Sequence, residues 1–323
     1  MKVLVTGAHG FIGSHLCDYL LAHDYEVKAL VSPWGKLDNL KDSLEHKGLE
    51  VVRADIAEAE TLKGICKACD AVVHAAARVA DWGHWKTFEH VNVRGTEHLL
   101  AEALSSSVKR FVLVSSVAVH RYTGFRNADS TELPRDNWTN PYARSKIMAE
   151  DAVFAAGLEG VAIRPGLWPF GPRDPNFQRI VKNLKLGVLP LVGSGETVIN
   201  TAYVGNLVAG LERALRAPLK QQAYVIADEG TPSWAEVFVY LAEVLGVPPP
   251  RLRLPPQLVV PLAHTVENVW QQFAPRTEPP LTRYRAELML NDVHFSTKAA
   301  QADLGCAPEV SWQEGLTKTV AYL

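Results

Sequence analysis

The sequence of 323 residues contains few cysteines and carries almost no net charge. Its four cysteines are too few and too scattered for a disulfide framework. The CxxC pair of Cys66 and Cys69 has no second pair with which to hold zinc, so we predict that it is structural. A net charge of −2 provides no basic field for nucleic acid. These features indicate a cytoplasmic protein whose partner is a small molecule.

Long apolar runs are also missing. The first strand pattern begins at once, without an apolar stretch of signal-peptide length, so we expect no secretory signal. The longest apolar segment late in the chain, residues 257–273, contains Pro261, His264 and Glu267 and is too short and too polar to span a bilayer. Because its polar residues are not basic, we expect a lid over a substrate pocket and not a membrane-surface helix.

Apolar runs alternate with helical patterns through the first half of the chain. Strands are expected at 2–6, 25–31, 49–55, 71–77, 110–116 and 160–166. Helices are expected at 11–23, 37–46, 59–68, 88–104 and 140–156. Strands that are nearly all apolar and alternate with helices predict an α/β fold, a Rossmann-type doubly wound parallel sheet covered on both faces.

Three evenly spaced glycines, Gly7, Gly10 and Gly13, follow the first strand in "VTGAHGFIG" and open the first helix. Gly7 permits a tight turn, Gly10 lets backbone approach a pyrophosphate, and Gly13 lets the helix pack closely on the strand. The first N–H groups of the helix, at Phe11 and Ile12, would hold the anion together with the helix dipole. We therefore predict a dinucleotide cradle at this turn.

Proline and glycine become dense after Gly166, and helical stretches lie between them. We predict a dinucleotide-binding domain at 1–165, to which 201–228 returns. The remaining segments, 166–200 and 229–323, are expected to form a smaller, mostly helical substrate-binding part.

A second constellation lies later in the first domain. Tyr142 and Lys146 in "YARSK" are four residues apart and share one face of a helix. A free tyrosine has a pKa of about 10, and a neighbouring ammonium would lower that pKa so that Tyr142 could exchange a proton with a carbonyl oxygen. Ser116 ends the fifth strand on the same rim as the glycine turn, and Asn92 lies on the intervening helix. Alternatively, Tyr142 and Lys146 simply face water.

Together, "VTGAHGFIG", "HAAA", "VNVRGT", "VLVSS", "YARSK" and "IRPG" resemble the extended branch of the short-chain dehydrogenase/reductases, within the NAD-dependent epimerase/dehydratase superfamily. The resemblance implies that Tyr142 is the proton donor or acceptor and that Lys146 activates it and bonds the cofactor ribose. It implies that Ser116, and not Ser115, polarises the substrate oxygen, and that Asn92 positions the helix and a water. Many relatives of this kind are dimers, so a homodimer is possible.

The same resemblance implies further cofactor contacts, carried over by position in the motifs. They are Asp55 and Ile56 at the adenine, Ala75, Ala76 and Ala77 along the cofactor, and Pro165 near the nicotinamide.

The choice between NAD and NADP depends on the end of the second strand. A carboxylate there reads the ribose 2′-hydroxyl and selects NAD, but this chain has Val31 followed by Ser32. The arginine that related NADP enzymes often carry at the position of Ser32 is missing too. Lys36 and Arg53 could reach a 2′-phosphate, although Lys36 also fits a solvated loop charge. We favour NADP and keep NAD as the alternative.

The substrate class is indicated by residues 193–206. Sugar-nucleotide enzymes of this pattern usually carry an arginine at the position of Ile199, and an apolar residue cannot clamp a diphosphate. The "YVGN" that follows and the tail at 279–316 resemble the 3β-hydroxysteroid dehydrogenase-type group, which includes sterol C4-decarboxylating dehydrogenases and a β-keto-acid reductase.

We therefore expect an NAD(P)-dependent oxidoreductase that interconverts a secondary alcohol and a ketone on an apolar, lipid-like substrate, either a 3β-hydroxysteroid or sterol or a 3-oxo acid. The alternatives are an NDP-sugar epimerase or dehydratase with tightly bound NAD, and a dinucleotide-sensing regulator without catalysis.

Loops on the predicted active rim are rich in aromatic residues, which suits an apolar substrate. Trp82, Trp85 and Trp168 fit pocket walls and ordinary packing equally well. The further candidates for anchoring a carboxylate or a hydroxyl are Arg78, His120 and Arg121, although a structural or solvated role accounts better for each.

Overall fold

The computed structural model describes residues 1–220, 222–274 and 277–323. The strands are β1 Lys2–Thr6, β2 Glu26–Val31, β3 Leu49–Arg53, β4 Ala71–His74, β5 Arg110–Val114, β6 Phe125–Ala128, β7 Glu159–Pro165, β8 Trp168–Phe170, β9 Pro190–Val192, β10 Thr201–Tyr203, β11 Ala223–Ile226, β12 Leu252–Leu254 and β13 Val293–Phe295. The α-helices are α1 Phe11–Ala22, α2 Trp85–Phe88, α3 Gly95–Ser105, α4 Pro141–Ala155, α5 Pro175–Lys185, α6 Val204–Arg216, α7 Trp234–Leu245, α8 Pro256–Phe273, α9 Arg283–Leu290, α10 Lys298–Leu304 and α11 Trp312–Ala321.

A seven-stranded sheet in the order β11-β7-β5-β4-β1-β2-β3 forms the centre of the molecule. All of its strand pairs are parallel, and Val5 of β1 lies in register with Ala29 of β2 and Val73 of β4. Apolar residues of α1 and α6 pack on one face of the sheet and those of α3 and α4 on the other. The predicted doubly wound α/β fold is therefore confirmed.

Strand β4 ends at His74, three residues before the predicted end. Residues 75–77 leave the sheet because they pass close to the glycine turn: a Cβ added to Gly7 would lie 2.8 Å from the backbone nitrogen of Ala76. The chain therefore approaches β1 at a point where only a glycine leaves room.

Two predicted helices are wrong. Segments 37–46 and 59–68 contain only the 3₁₀ turns Asp38–Leu40 and Ala59–Leu62. In the second segment, Gly64 and Ala68 have φ angles of +75° and +60°, which a continuing right-handed helix cannot accommodate.

The helix expected at 88–104 is irregular in its first half. A π-helical segment, Glu89–Arg94, lies between α2 and α3. Such segments mark places where an extra residue is accommodated in a helix, frequently at functional sites.

The later half of the chain contributes both to the sheet and to a separate core. β11 pairs with β7 at the edge of the sheet, and α6 packs against α1. The separate core contains Trp168, Phe177 and Trp234. The predicted domain boundaries stay a prediction.

No helix in the described part of the chain is long and apolar enough to cross a membrane.

Cys66 and Cys69 are unpaired and lie in the core on the α3 side of the sheet. Burial raises the pKa of the Cys66 thiol to about 12. Because the thiolate is the reactive form, this environment agrees with a structural role.

Candidate active site

The glycine turn has the geometry of an anion cradle. Gly7 adopts a φ of +65°, and its carbonyl accepts a hydrogen bond of 2.8 Å from the nitrogen of Gly10. A Cβ on Gly13 would clash with the carbonyl oxygen of Gly7. No side chain caps the start of α1 at Gly10, so the N–H groups of Phe11 and Ile12 lie at an uncapped helix end. The turn thus fits a pyrophosphate.

A groove of about 680 Å³ opens from this turn. Predicted cofactor residues that line it are Gly7, Gly10, Ser32, Asp55, Ile56, Ala75, Ala76 and Ala77. Lys36 is exposed and does not line the groove, while Pro165 is buried at the end of β7, in register with Ile226. The groove matches the shape and lining that a dinucleotide requires.

His9 and Trp34 are among the groove residues that the sequence analysis missed. Nε2 of His9 lies 3.5 Å from Oγ of Ser32, and the residue's place between the first two glycines was the available signal. Trp34, also in the groove wall, is 75% exposed. Burial, followed by the charge of Arg53, lowers the pKa of His9, so this ring is neutral at physiological pH.

Arg53 fixes the loop after β2. Its Nη1 donates hydrogen bonds of 3.0, 3.1 and 3.0 Å to the carbonyls of Ser32, Pro33 and Gly35. A cation therefore lies against the loop at the end of the second strand, although Arg53 itself does not line the groove and Asp55 does.

Ser116, Tyr142 and Lys146 converge at the carboxyl end of β5. Tyr142 lies in the first turn of α4, close enough to Ser116 for the serine hydroxyl to lower the pKa of the phenol. Nζ of Lys146, one turn later, lies 6.0 Å from the centroid of the Tyr142 ring and donates a hydrogen bond of 2.8 Å to the carbonyl of Val114. The structure thus brings together the three side chains that the sequence singled out.

The expected effect of Lys146 on Tyr142 is wrong in this arrangement. Burial raises the pKa of Tyr142 to about 12, and the hydrogen bond from Ser116 opposes that rise only in part. Burial also lowers the pKa of Lys146 to about 8, against the charge of Glu150. Desolvation prevails because the ammonium is held on the Val114 carbonyl.

Ser115 belongs to the core of the protein. Its hydroxyl donates a hydrogen bond of 2.6 Å to the buried carboxylate of Glu150, which forms an ion pair of 2.7 Å with Arg164. Although burial opposes it, the hydrogen bond from Arg164 keeps the pKa of Glu150 below its usual value. Ser115 is therefore occupied, which agrees with the preference for Ser116.

Asn92 is buried in the π-helical segment and joins two elements. Its Nδ2 donates to Oγ of Ser145 at 2.8 Å and to the carbonyl of Arg78 at 3.0 Å, and its Oδ1 accepts from the nitrogen of Arg78 at 2.7 Å. The amide thus ties the loop after β4 to helix α4, the helix that carries Tyr142.

A pocket of about 440 Å³ opens beside the start of α4. Its wall is formed by Asp81, Trp82, Gly83, His84, Arg121, Asn137, Thr139, Asn140, Pro141, Glu267, Gln271, Arg283, Tyr284 and Glu287. Residues of α8 and α9 close one side of it, as expected of a lid. The wall is more polar than the aromatic loops predicted.

Long-range ion pairs hold the lid. Asp81 accepts a hydrogen bond of 2.6 Å from Thr282 and forms an ion pair of 2.9 Å with Arg285, while Arg283 pairs with Glu267 at 2.5 Å. The sequence analysis missed the pairs of Asp81 with Thr282 and Arg285, since no local pattern connects positions 201 and 204 residues apart.

Of the remaining aromatic and anchor candidates, some line the pocket and others pack inside the protein. Trp82 lines the pocket, whereas Trp85 stacks on Arg144, with a guanidinium-to-ring distance of 3.9 Å, and Trp168 is buried in the separate core. His120 is buried between the Pro134 carbonyl and Arg164, and Arg78 lies over the ring of Phe88. Arg121 alone among the three anchor candidates faces the pocket.

Comparison with known proteins identifies the family of the chain. The model of the NAD dependent epimerase/dehydratase family matches residues 3–227. The chain is 30% identical over 334 residues to a 2-alkyl-3-oxoalkanoate reductase of Stenotrophomonas maltophilia (strain K279a), covering 99% of both proteins. It is 28% identical to a protein of the same name from Shewanella oneidensis, covering 99% of this chain and 85% of that one.

A solved structure of dTDP-glucose 4,6-dehydratase from Streptomyces venezuelae, with NAD bound, is 26% identical and has a TM-score of 0.77, with 100% of this chain and 96% of that one covered. Fold, family model and full-length relatives therefore agree, and the predicted resemblance is confirmed at the level of the family. The chain belongs to the NAD dependent epimerase/dehydratase family, in the extended branch of the short-chain dehydrogenase/reductases, and is an NAD(P)-dependent oxidoreductase.

Proposed function

We propose that the protein reduces the ketone of a 3-oxo acid with apolar alkyl chains to the corresponding 3-hydroxy acid. The observation that carries this proposal is the match, over 99% of both proteins, to a relative named as a 2-alkyl-3-oxoalkanoate reductase. The pocket beside Tyr142 supports it, because it offers space for a substrate outside the cofactor groove.

Ser116, Tyr142 and Lys146 account for the proton that the ketone oxygen receives during reduction. The ketone oxygen would lie between the hydroxyls of Ser116 and Tyr142, where Ser116 donates a hydrogen bond to it and Tyr142 transfers its proton to it. The ammonium of Lys146, which donates to the Val114 carbonyl in the structure, would turn to the phenolate that remains and stabilise it. A nicotinamide cofactor bound in the groove supplies the hydride for the carbonyl carbon.

We further propose that the cofactor is NADP. The end of β2 lacks the carboxylate that would repel a 2′-phosphate, and Ser32, His9 and Arg53 lie together there. NADPH should bind more tightly than NADH in a fluorescence titration, and Ser32→Asp should reverse that order. Equal affinities in the natural protein would contradict this assignment.

The activity is tested by following nicotinamide absorbance with three substrate classes: a 2-alkyl-3-oxoalkanoic acid, a 3β-hydroxysteroid and a nucleotide sugar. Turnover of the 3-oxo acid alone is expected. Turnover of the nucleotide sugar without any activity on the acid would overturn the proposal. Ile199 argues against that result, because it is fully buried in the separate core and cannot reach a diphosphate.

A further inference from the structure

We infer that Arg121 binds the carboxylate of the substrate and so makes the enzyme specific for acids over neutral ketones. This inference rests on the proposed 3-oxo acid reductase function. It assigns a specificity-determining residue to the pocket, separate from the two side chains, Ser116 and Tyr142, that meet the ketone oxygen.

Arg121 differs from the other arginines at the pocket. Arg283 forms an ion pair with Glu267 at 2.5 Å, and Arg285 forms one with Asp81 at 2.9 Å. The guanidinium of Arg121 lines the pocket, is exposed, and has no hydrogen bond or ion pair to another residue in the described ranges. It is therefore a cation available to a ligand.

The backbone of Arg121 is held firmly although its side chain is free. Its two neighbours, His120 and Tyr122, are 1% and 5% exposed, and the Tyr122 hydroxyl hydrogen-bonds that of Tyr284 at 2.9 Å. A single 3₁₀ turn, Val117–Val119, separates Arg121 from Ser116. The cation and the hydroxyl that meets the ketone are thus mounted on one short, fixed segment.

The chemistry of a 3-oxo acid requires such an arrangement. Its carboxylate lies two carbons from the ketone, so both groups must lie in the same cavity when the ketone contacts Ser116. A guanidinium binds a carboxylate through two parallel hydrogen bonds, which gives affinity and fixes orientation.

The pocket's negative charges favour the same orientation. Asp81 and Glu267 are neutralised by their arginines, while Glu287 on α9 has no ion pair among the described residues. A substrate carboxylate is therefore repelled on the α9 side and attracted on the side of Arg121.

The test compares Arg121→Gln and Arg121→Lys with the natural protein on a matched pair of ligands, a 2-alkyl-3-hydroxyalkanoic acid and its methyl ester. Oxidation is followed by nicotinamide absorbance, and binding to the protein with cofactor present is followed by calorimetry. Arg251→Gln is the control, since Arg251 is exposed, lies outside the pocket and has no side-chain partner within the described part of the chain. Thermal melting checks that each variant folds.

For Arg121→Gln we expect kcat/KM and affinity for the acid to fall about 10- to 100-fold, because a charged hydrogen-bonded contact is lost. The ester should change by less than about twofold, Arg121→Lys should retain part of the preference for the acid, and Arg251→Gln should match the natural protein. Equal losses for acid and ester, or no loss for the acid, would overturn the inference.

The two proposals fail differently. Binding of the acid that depends on Arg121 without any turnover would support the inference and refute the reductase function. Turnover of acid and ester with equal efficiency would leave the reductase in place and refute the role of Arg121.

Discussion

The cofactor groove and the substrate pocket lie beside each other but are built in different ways. The groove is lined largely by backbone and small side chains from residues 7–91, and its shape depends on the absence of a Cβ at Gly7 and Gly13. The pocket is lined by larger polar side chains from residues 81–287, and ion pairs hold its far wall. A site formed by close backbone approach can be recognised in a short motif, whereas one formed by long-range pairs cannot.

The largest expected effect is at Tyr142, next to Pro141 of the pocket wall. Tyr142→Phe removes the proton donor, so kcat for ketone reduction should fall about 100- to 10,000-fold. Cofactor affinity should stay unchanged, because the phenol is not part of the groove wall. Stopped-flow reduction together with fluorescence titration of the cofactor measures both quantities. A variant that keeps most of its kcat would show that Tyr142 is not the proton donor.

The groove is tested by a pair of glycine variants. In Gly13→Ala the new Cβ meets the fixed carbonyl of Gly7, and we expect a loss of about 1–3 kcal/mol in the free energy of unfolding. In Gly10→Ala the nearest atom, the oxygen of Gly7, is 3.2 Å away, so stability should change little while cofactor affinity falls. Urea denaturation and cofactor titration separate the two effects; identical losses of stability would contradict this account of the turn.

The pocket is tested at Arg285. Arg285→Met leaves the buried carboxylate of Asp81 without its cation, which should cost about 1–2 kcal/mol of stability and raise KM for the substrate. Asp81→Asn should cost less, because it removes the buried charge as well. Neither change should alter cofactor affinity. Loss of cofactor binding in either variant would show that the lid and the groove are coupled.

The smallest expected effect is in the pH profile. Reduction needs the phenol of Tyr142 protonated and Lys146 charged, and both are the low-pH forms. With a Lys146 pKa of about 8 and a Tyr142 pKa of about 12, the reduction rate should fall as pH rises through about 8. Lys146→Arg keeps its charge in that range, so its profile should stay flat if the variant is active. The same fall in both proteins would assign it to another group.

The sequence predicted the sheet and the groove because both depend on local patterns. Apolar runs mark β1, β4 and β5, and glycines mark the turn between β1 and α1. Helix 59–68 was predicted wrongly because its apolar spacing was given more weight than Gly64, whose φ of +75° interrupts the segment.

The sequence analysis predicted that Ser116, Tyr142 and Lys146 lie together, because strand ends and helix spacing place them. Their protonation states were not predicted correctly, because the pKa of Tyr142 depends on burial by residues far away in the chain. The lid pairs, such as Asp81 with Arg285, depend on tertiary contacts for which one sequence contains no signal.

The π-helical turn at Glu89–Arg94 allows one continuous helical segment to contact both the sheet and the loop after β4, which lie at different angles around its axis. Downstream of it, Leu99 and Ala103 face the sheet, and within it Asn92 is turned toward the loop that lines both cavities. Deleting one residue there would restore regular winding and rotate everything before it by about 100°, which would swing the amide away from that loop and leave the downstream packing intact. The winding of this helix, and not only the identity of residue 92, therefore holds the loop that lines the groove and the pocket.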